Sequence, residues 1–193
     1  MVSKRRLLLL ASLAIVAVAA AGVSASVFVF YPGDVTAQYT EPPVKVFPGS
    51  NAGQRDLNGA RINVAIGANQ TSVSLALHPT YQITYYKNIT FVKNLDTTNS
   101  YYVWFKTSQP TNFTVTNAYL KLIINDTSTG DIYVLDLTNS GDIVGPITLN
   151  AGANLTIDVQ SYYPEGEALP AGVITAGFEI IIGTVNEQPP APQ

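Results

Sequence analysis

The segment Asn154-Leu155-Thr156-Ile157-Asp158-Val159-Gln160 indicates the fold class of this chain of 193 residues. Leu155, Ile157 and Val159 alternate with polar residues, and successive side chains of a strand point to opposite faces. One face of this segment is therefore expected to be buried and the other to be wet. The same period of two predicts further half-buried strands, with apolar residues on one face, at residues 62–66, 73–77, 83–91 and 178–182.

Three other runs are apolar on both faces and are candidates for central strands: residues 101–105, 119–124 and 132–137. Segments rich in Gly, Asn, Asp, Ser and Pro separate the runs, and no stretch after Ala25 keeps a helical period. Many short strands at near-regular spacing are typical of a β-sandwich or a barrel, and the sandwich is the commoner answer. We therefore expect an all-β, antiparallel, Ig-like or jelly-roll β-sandwich.

The first 25 residues have the three zones of a secretory signal peptide. Lys4, Arg5 and Arg6 precede an apolar run, and small residues follow it, which predicts cleavage between Ala25 and Ser26. Two alternatives stay open. Residues 7–30 are long enough to span a hydrocarbon core of about 30 Å as a retained anchor, and a type IV pilin would be cut just before the apolar run.

Composition excludes several classes of function. Removal of the signal leaves seven Lys and Arg residues against thirteen Asp and Glu, a net charge of about −6. An acidic chain without a basic cluster is not suited to nucleic acid, whose phosphates require cationic contacts. Because cysteine is absent, no disulfide or thiolate metal site can form.

Residues that could support catalysis are scarce. The one histidine, His78, precedes Pro79 near the end of a strand and belongs to neither a hydrolase nor a zinc motif. Residues 126–131 resemble a calcium loop only weakly and are expected to be a hairpin turn. We therefore predict a protein that is not an enzyme and that uses no cofactor or metal.

Five asparagines begin an N-x-T sequon without proline in the middle: Asn69, Asn88, Asn112, Asn125 and Asn154. Each is predicted to lie in a turn or on a polar strand face, where a glycan can be accommodated. The simpler alternative is that Asn and Thr are merely frequent in turns and on wet strand faces.

The mature chain would begin with an apolar segment, Val27, Phe28, Val29, Phe30 and Tyr31, which precedes a region rich in proline and glycine. Left in water, such a strand would expose apolar groups and unpaired backbone. It can pair as an edge strand of its own domain, or it can insert into a neighbouring subunit and complete that subunit's sheet. Physical reasoning alone leaves both options open.

The signal, the apolar strand, the Pro/Gly linker and the Asn/Thr-rich strands, with residues 81–94 before a polar turn, resemble the TasA/camelysin group of biofilm-fibre proteins. Archaeal bundling-pilus and thread subunits are the most similar in layout. The resemblance implies a jelly-roll-like sandwich that polymerises head to tail with residues 27–31 as donor strand. Some camelysins are described as metalloproteases, but this sequence has no zinc motif that would carry that activity.

The expected organisation is a signal peptide (1–25), a donor strand (26–31), a linker (32–58) in which residues 44–47 can form an edge strand, a sandwich (59–187) and a Pro-rich tail (188–193). The expected function is that of a secreted filament subunit at the cell surface, with identical subunits, N-linked glycans and laterally bundled filaments as partners. The alternative is a monomeric adhesive or carbohydrate-binding sandwich, for which Tyr101, Tyr102 and Trp104 could supply exposed aromatic rings, although the pattern favours a role in the core for these three residues.

Overall fold

The computed structural model describes residues 31–189. Residues 31–40 are exposed and have no regular structure, and a compact unit begins at Glu41. The predicted signal peptide, its cleavage site at Ala25 and Ser26, the donor residues 27–30 and the end of the tail lie outside the described residues. One turn of 3-10 helix, Leu57–Gly59, is the helix found among the described residues, and the rest of the regular structure is strand.

Five antiparallel strands form the larger sheet in the order β1-β4-β9-β6-β7. Their bounds are β1 Val44–Pro48, β4 Gln82–Asn94, β6 Tyr119–Asp126, β7 Ile132–Asp136 and β9 Asn154–Tyr163. β9 lies at the centre, and Leu155, Ile157 and Val159 all point into the core, as the alternation in its sequence predicts. The short edge strand expected at residues 44–47 is confirmed as β1.

A second antiparallel sheet has the order β10-β5-β8, and a separate hairpin pairs β2 with β3. The bounds are β2 Asn63–Ile66, β3 Val73–Ala76, β5 Tyr101–Gln109, β8 Ile143–Leu149 and β10 Gly177–Gly183. One cluster of buried side chains draws on strands of both larger sheets, including Ile124 and Leu155 from one and Phe105 and Ile147 from the other. The described chain is thus all-β and antiparallel, consistent with a β-sandwich.

The buried and exposed faces predicted for strand β4 were partly wrong. Ile83 and Tyr85 point to solvent, whereas the threonines Thr84 and Thr90 are buried on the core side. An irregularity between Tyr86 and Thr90 inserts extra residues into the strand and turns Ile89 inward. The prediction placed the apolar side chains of residues 83–91 in the core because a period of two applies to an uninterrupted strand. A bulge redirects the side chains beside it.

One further prediction about strand position was wrong, and one strand was missed. The run at residues 132–137 was expected at a sheet centre, but β7 is an edge strand with exposed Ile132 and Val134. β8 was not predicted at all, since the dipeptide Gly145-Pro146 interrupts its apolar residues. Proline lacks the N–H that a ladder needs and is tolerated where that N–H has no strand partner, and within the described part of the chain β8 pairs with β5 alone.

Candidate assembly edge and glycan-bearing positions

The inner face of β10 is incompletely covered. Phe178, Ile180 and Ile182 lie opposite Thr107, Phe105 and Val103 of β5 and point to the same side of the sheet. Val103 and Phe105 are 0% exposed, whereas Ile182 is 38% exposed. Phe178 and Ile180 pack against the core but remain half-buried. The core is therefore fully covered at β5 but partly exposed to solvent at β10, the next strand of the sheet.

The backbone of β10 is also free on one side. β5 pairs along one edge, and no strand among residues 31–189 is hydrogen-bonded to the other. Edge strands are usually protected by charges, prolines or a covering segment, but the single charged residue of β10 is Glu179, which faces away from the core. A free ladder beside an open apolar face is the geometry that accepts an added strand.

The hairpin of β2 and β3 carries a second half-covered apolar surface. The side chains on one of its faces pack against the core without being fully buried: Val64, Ile66, Val73 and Leu75. Its two strands pair with each other, and its turn is tied to β1 by a hydrogen bond of 2.8 Å from the Val46 N–H to the Gln70 carbonyl. Apolar side chains at the margin of the core are thus only partly covered at the hairpin, as they are at β10.

Two of the aromatic residues named for the carbohydrate-binding alternative, Trp104 and Tyr101, make contacts within the domain. Trp104 is 4% exposed and lies close to the backbone of Gly145 and Gly183, where an added Cβ would approach its ring to 2.9 and 3.0 Å. Tyr101 packs against the core, and its hydroxyl donates to Asp96 at 3.1 Å. Trp104 and Tyr101 therefore pack within the domain, and the half-buried Tyr102 has its ring 6.4 Å from that of Trp104 in a tilted arrangement.

His78 is part of a local structural contact. Its backbone N–H and its Nδ1 lie 2.9 and 3.0 Å from Oδ2 of Asp56, whose Oδ1 accepts from Leu57 N–H at 2.7 Å. Burial alone would raise the pKa of Asp56, but the bonds from Leu57 and His78 outweigh it and leave that pKa lowered. Among residues 31–189, no group of three or more His, Cys, Asp or Glu side chains is placed to hold a metal.

The five sequons occupy different environments. Asn69 and Asn112 are exposed in connecting segments, whereas Asn88, Asn125 and Asn154 are half-buried on strands of the five-stranded sheet. Asn112 accepts a hydrogen bond of 3.0 Å from Thr175 N–H, which ties it to the segment before β10. The expected hairpin turn at residues 126–131 is confirmed, with Asp126 accepting bonds from the backbone and side chain of Ser128.

A buried carboxylate, which the sequence pattern missed, organises two of these sequons. Asp158 lies on the outer face of β9 but is only 3% exposed, and it accepts hydrogen bonds from the Tyr85 hydroxyl, Asn88 N–H and Asn125 Nδ2. Burial, reinforced by Asp158, raises the pKa of Tyr85 to about 12. Alternation alone placed Asp158 on the wet face, and only the bulge in β4 brings its backbone donor within reach.

Comparison with known proteins adds no assignment: the chain matches no protein-family model and no curated protein sequence. The resemblance to TasA-like fibre proteins therefore stays a prediction. Within residues 31–189, no helix has the length and apolar character needed to cross a bilayer.

Proposed function

We propose that this protein is the structural subunit of an extracellular filament at the cell surface. In the proposed assembly, Val27–Tyr31 of one subunit adds a strand to the free edge of β10 in the next. The observation that supports this most is the contrast within one sheet, where Ile182 is 38% exposed although Val103, its partner on β5, is fully buried. An added strand would cover both the open apolar face and the unpaired backbone.

The proposed donor suits this edge in length and chemistry. A strand rises about 3.3 Å per residue, so five residues cover roughly 16 Å, and β10 offers seven residues for pairing. The donor carries no charge and has apolar or aromatic side chains on both faces, so either register would bring large side chains to the open core. Its main-chain hydrogen bonds would supply affinity, and contacts with the partly exposed side chains of β10 would select the donor side chains.

The chain between donor and domain allows this contact to reach a neighbour. Residues 32–43 separate the donor from β1, and they span at most about 40 Å when extended. Donation to the next subunit uses two different surfaces of each molecule. Such a contact is heterologous and, if its rotation does not close a ring, it produces an open filament.

The outer face of the five-stranded sheet is the proposed lateral surface between filaments. Ile83, Tyr85, Ile132 and Val134 are exposed there, and the rings of Tyr119 and Tyr162 lie 5.4 Å apart. Exposed apolar groups that form a patch on a sheet face are typical of interaction sites. Glycans at accessible sequons would occupy the remaining surface.

Negative-stain electron microscopy of four proteins tests the proposal. These are the mature chain from Ser26, the same chain without Val27–Tyr31, and the variants Ile182→Lys and Val134→Lys. Val134 is the matched control, because it is also a β-branched, exposed residue of an edge strand but lies on the other sheet. Filaments are expected from the intact chain and from Val134→Lys only, with less lateral bundling in Val134→Lys because Val134 lies on the proposed lateral surface. Circular dichroism is expected to show native strand content in all four. Filaments from the chain without Val27–Tyr31 would exclude strand donation.

The same Tyr119 and Tyr162 pair supports the alternative of a monomeric carbohydrate-binding domain. Tyrosine rings on an exposed sheet face can stack on a sugar while their hydroxyls form hydrogen bonds. Single particles from the intact chain, together with binding to a glycan array that Tyr162→Ala abolishes, would favour this alternative over the filament.

A further inference from the structure

The five sequons share one sequence pattern, but the chemistry of N-glycosylation distinguishes between them. The sugar is attached to Nδ2 of asparagine and adds a bulky group that must extend into solvent. A site is therefore usable in the folded protein only if Nδ2 is accessible and is not needed to satisfy a buried group. The hydrogen bonds of this domain separate the sequons on that criterion.

Asn125 fails the criterion because its amide serves a buried charge. Its Nδ2 donates to Oδ2 of Asp158 at 3.2 Å, and Asp158 is almost completely buried. A carboxylate removed from water depends on such donors for its stability. Asn125 is itself half-buried, and a sugar would replace one of the two hydrogens of an Nδ2 atom that is held against this buried carboxylate.

Asn88 fails for a related reason. It lies in the β4 bulge with φ of 46°, and its backbone N–H donates to Oδ1 of Asp158 at 2.6 Å. Its Nδ2 donates to the Ser50 hydroxyl at 2.9 Å, and its Oδ1 is buried without a partner among the described residues. The amide is thus half-buried: its Oδ1 is enclosed, and its Nδ2 is engaged by the Ser50 hydroxyl, a contact that a sugar on Nδ2 would disturb.

Asn69 and Asn112 meet the criterion. Asn69 is exposed in the turn between β2 and β3, followed by exposed Thr71, and no side-chain hydrogen bond of Asn69 is found among residues 31–189. Asn112 is also exposed, and its amide nitrogen has only a long contact of 3.5 Å to the Val173 carbonyl. Its shorter bond uses Oδ1, and N-glycosylation leaves that atom unchanged.

We propose that Asn69 and Asn112 carry N-linked glycans, whereas Asn88 and Asn125 are structural residues that hold Asp158 and remain unmodified. Asn154 is intermediate, since it is half-buried and its Oδ1 accepts from the Thr127 hydroxyl at 2.8 Å, and it is not part of this inference. The inference rests on the export that the proposed function requires, but it does not require filaments.

Site-resolved mass spectrometry of glycopeptides, on protein purified from the cells that make it, tests this assignment directly. Glycan is expected at Asn69 and Asn112 in most molecules, and none at Asn88 and Asn125. Glycan at Asn88 or Asn125 in a comparable fraction of molecules would overturn the assignment, and so would unmodified Asn69. The result does not depend on whether the subunits polymerise, which the electron micrographs report separately.

The variants Asn69→Gln and Asn125→Gln form a matched pair, because each removes one sequon and adds one methylene group. Asn69→Gln is expected to lower the intact mass by one glycan and to leave the melting temperature unchanged. Asn125→Gln is expected to leave the glycan mass unchanged and to lower the melting temperature. The reverse pattern would contradict the assignment. If Asn125→Gln does not fold, the glycopeptide map of the unaltered protein still decides the question.

Discussion

β5 and β10 are neighbours in the same sheet and present similar apolar side chains to the same core, yet only one of them is covered. Phe105 of β5 is 0% exposed and lies opposite half-buried Ile180 of β10. β5 has strands on both sides and the larger sheet in front, whereas β10 has a strand on one side only among residues 31–189. Neighbouring strands, rather than hydrophobicity alone, therefore determine how much of an apolar residue is buried.

The largest expected effect comes from truncating the closed part of the core. Phe105→Ala should lower the free energy of unfolding by about 3–5 kcal/mol, because it removes a fully buried ring and leaves a cavity. Chemical denaturation of the chain without Val27–Tyr31 measures this value without interference from assembly. A loss below about 1 kcal/mol would mean that the core around β5 is not tightly packed.

A donor peptide supplied in trans should pair with the free edge of β10. For a chain that begins at Pro32, a peptide of residues 27–31 flanked by lysines should stabilise the fold by about 2.7 kcal/mol at a concentration 100 times its Kd. Thermal unfolding measures the shift. A peptide with Val29 replaced by proline is the control, since proline removes a donor from the ladder. Equal stabilisation by both peptides would exclude strand addition.

The variant Ile182→Ala compares the two strands directly. In the chain without the donor segment, it should cost only about 1 kcal/mol, because the side chain is already partly in contact with water. In assembled filaments the same change should be more damaging, since the proposed donor buries Ile182. Denaturation of monomers and of filaments measures both values. A monomer loss as large as that of Phe105→Ala would show that β10 is already covered.

The smallest expected effect concerns the outer face of the five-stranded sheet. There, the hydrogen-bonded cluster of Tyr85, Asn88, Asn125 and Asp158 covers the surface. The pKa of Tyr85 is raised from 10.0 to about 12, so the folded state holds this proton more tightly than the unfolded state. The associated stability is present below pH 10 and is lost as the pH rises through about 12. Absorbance at alkaline pH, compared with Tyr85→Phe, measures the ionisation. A Tyr85 pKa near 10 would contradict the role of Asp158.

The pattern of strands could be predicted where each strand is uninterrupted. Residues 154–160 and 101–105 were correctly expected to be strands, and both are internal in their sheets. The β4 faces, the edge position of β7 and the existence of β8 could not be predicted. A bulge, a missing neighbour and an internal proline each change what periodicity alone implies.

The candidate site was predictable only in part. The sequence contains the sequons and the apolar segment at residues 27–31, because both are local patterns. It does not reveal that β10 has a free edge, or that Asn88 and Asn125 meet at Asp158. Those facts depend on contacts between residues that are far apart in the sequence, such as Asn88 and Asp158, which are separated by 70 positions.

The all-β character of this chain was already contained in its sequence, because the alternation of apolar and polar residues acts within a single strand. Which apolar residues are buried, which strand edge is open and which asparagines are accessible were decided only by the tertiary structure. Burial and hydrogen bonding depend on what packs against a residue, and in a sheet protein those neighbours come from distant parts of the chain.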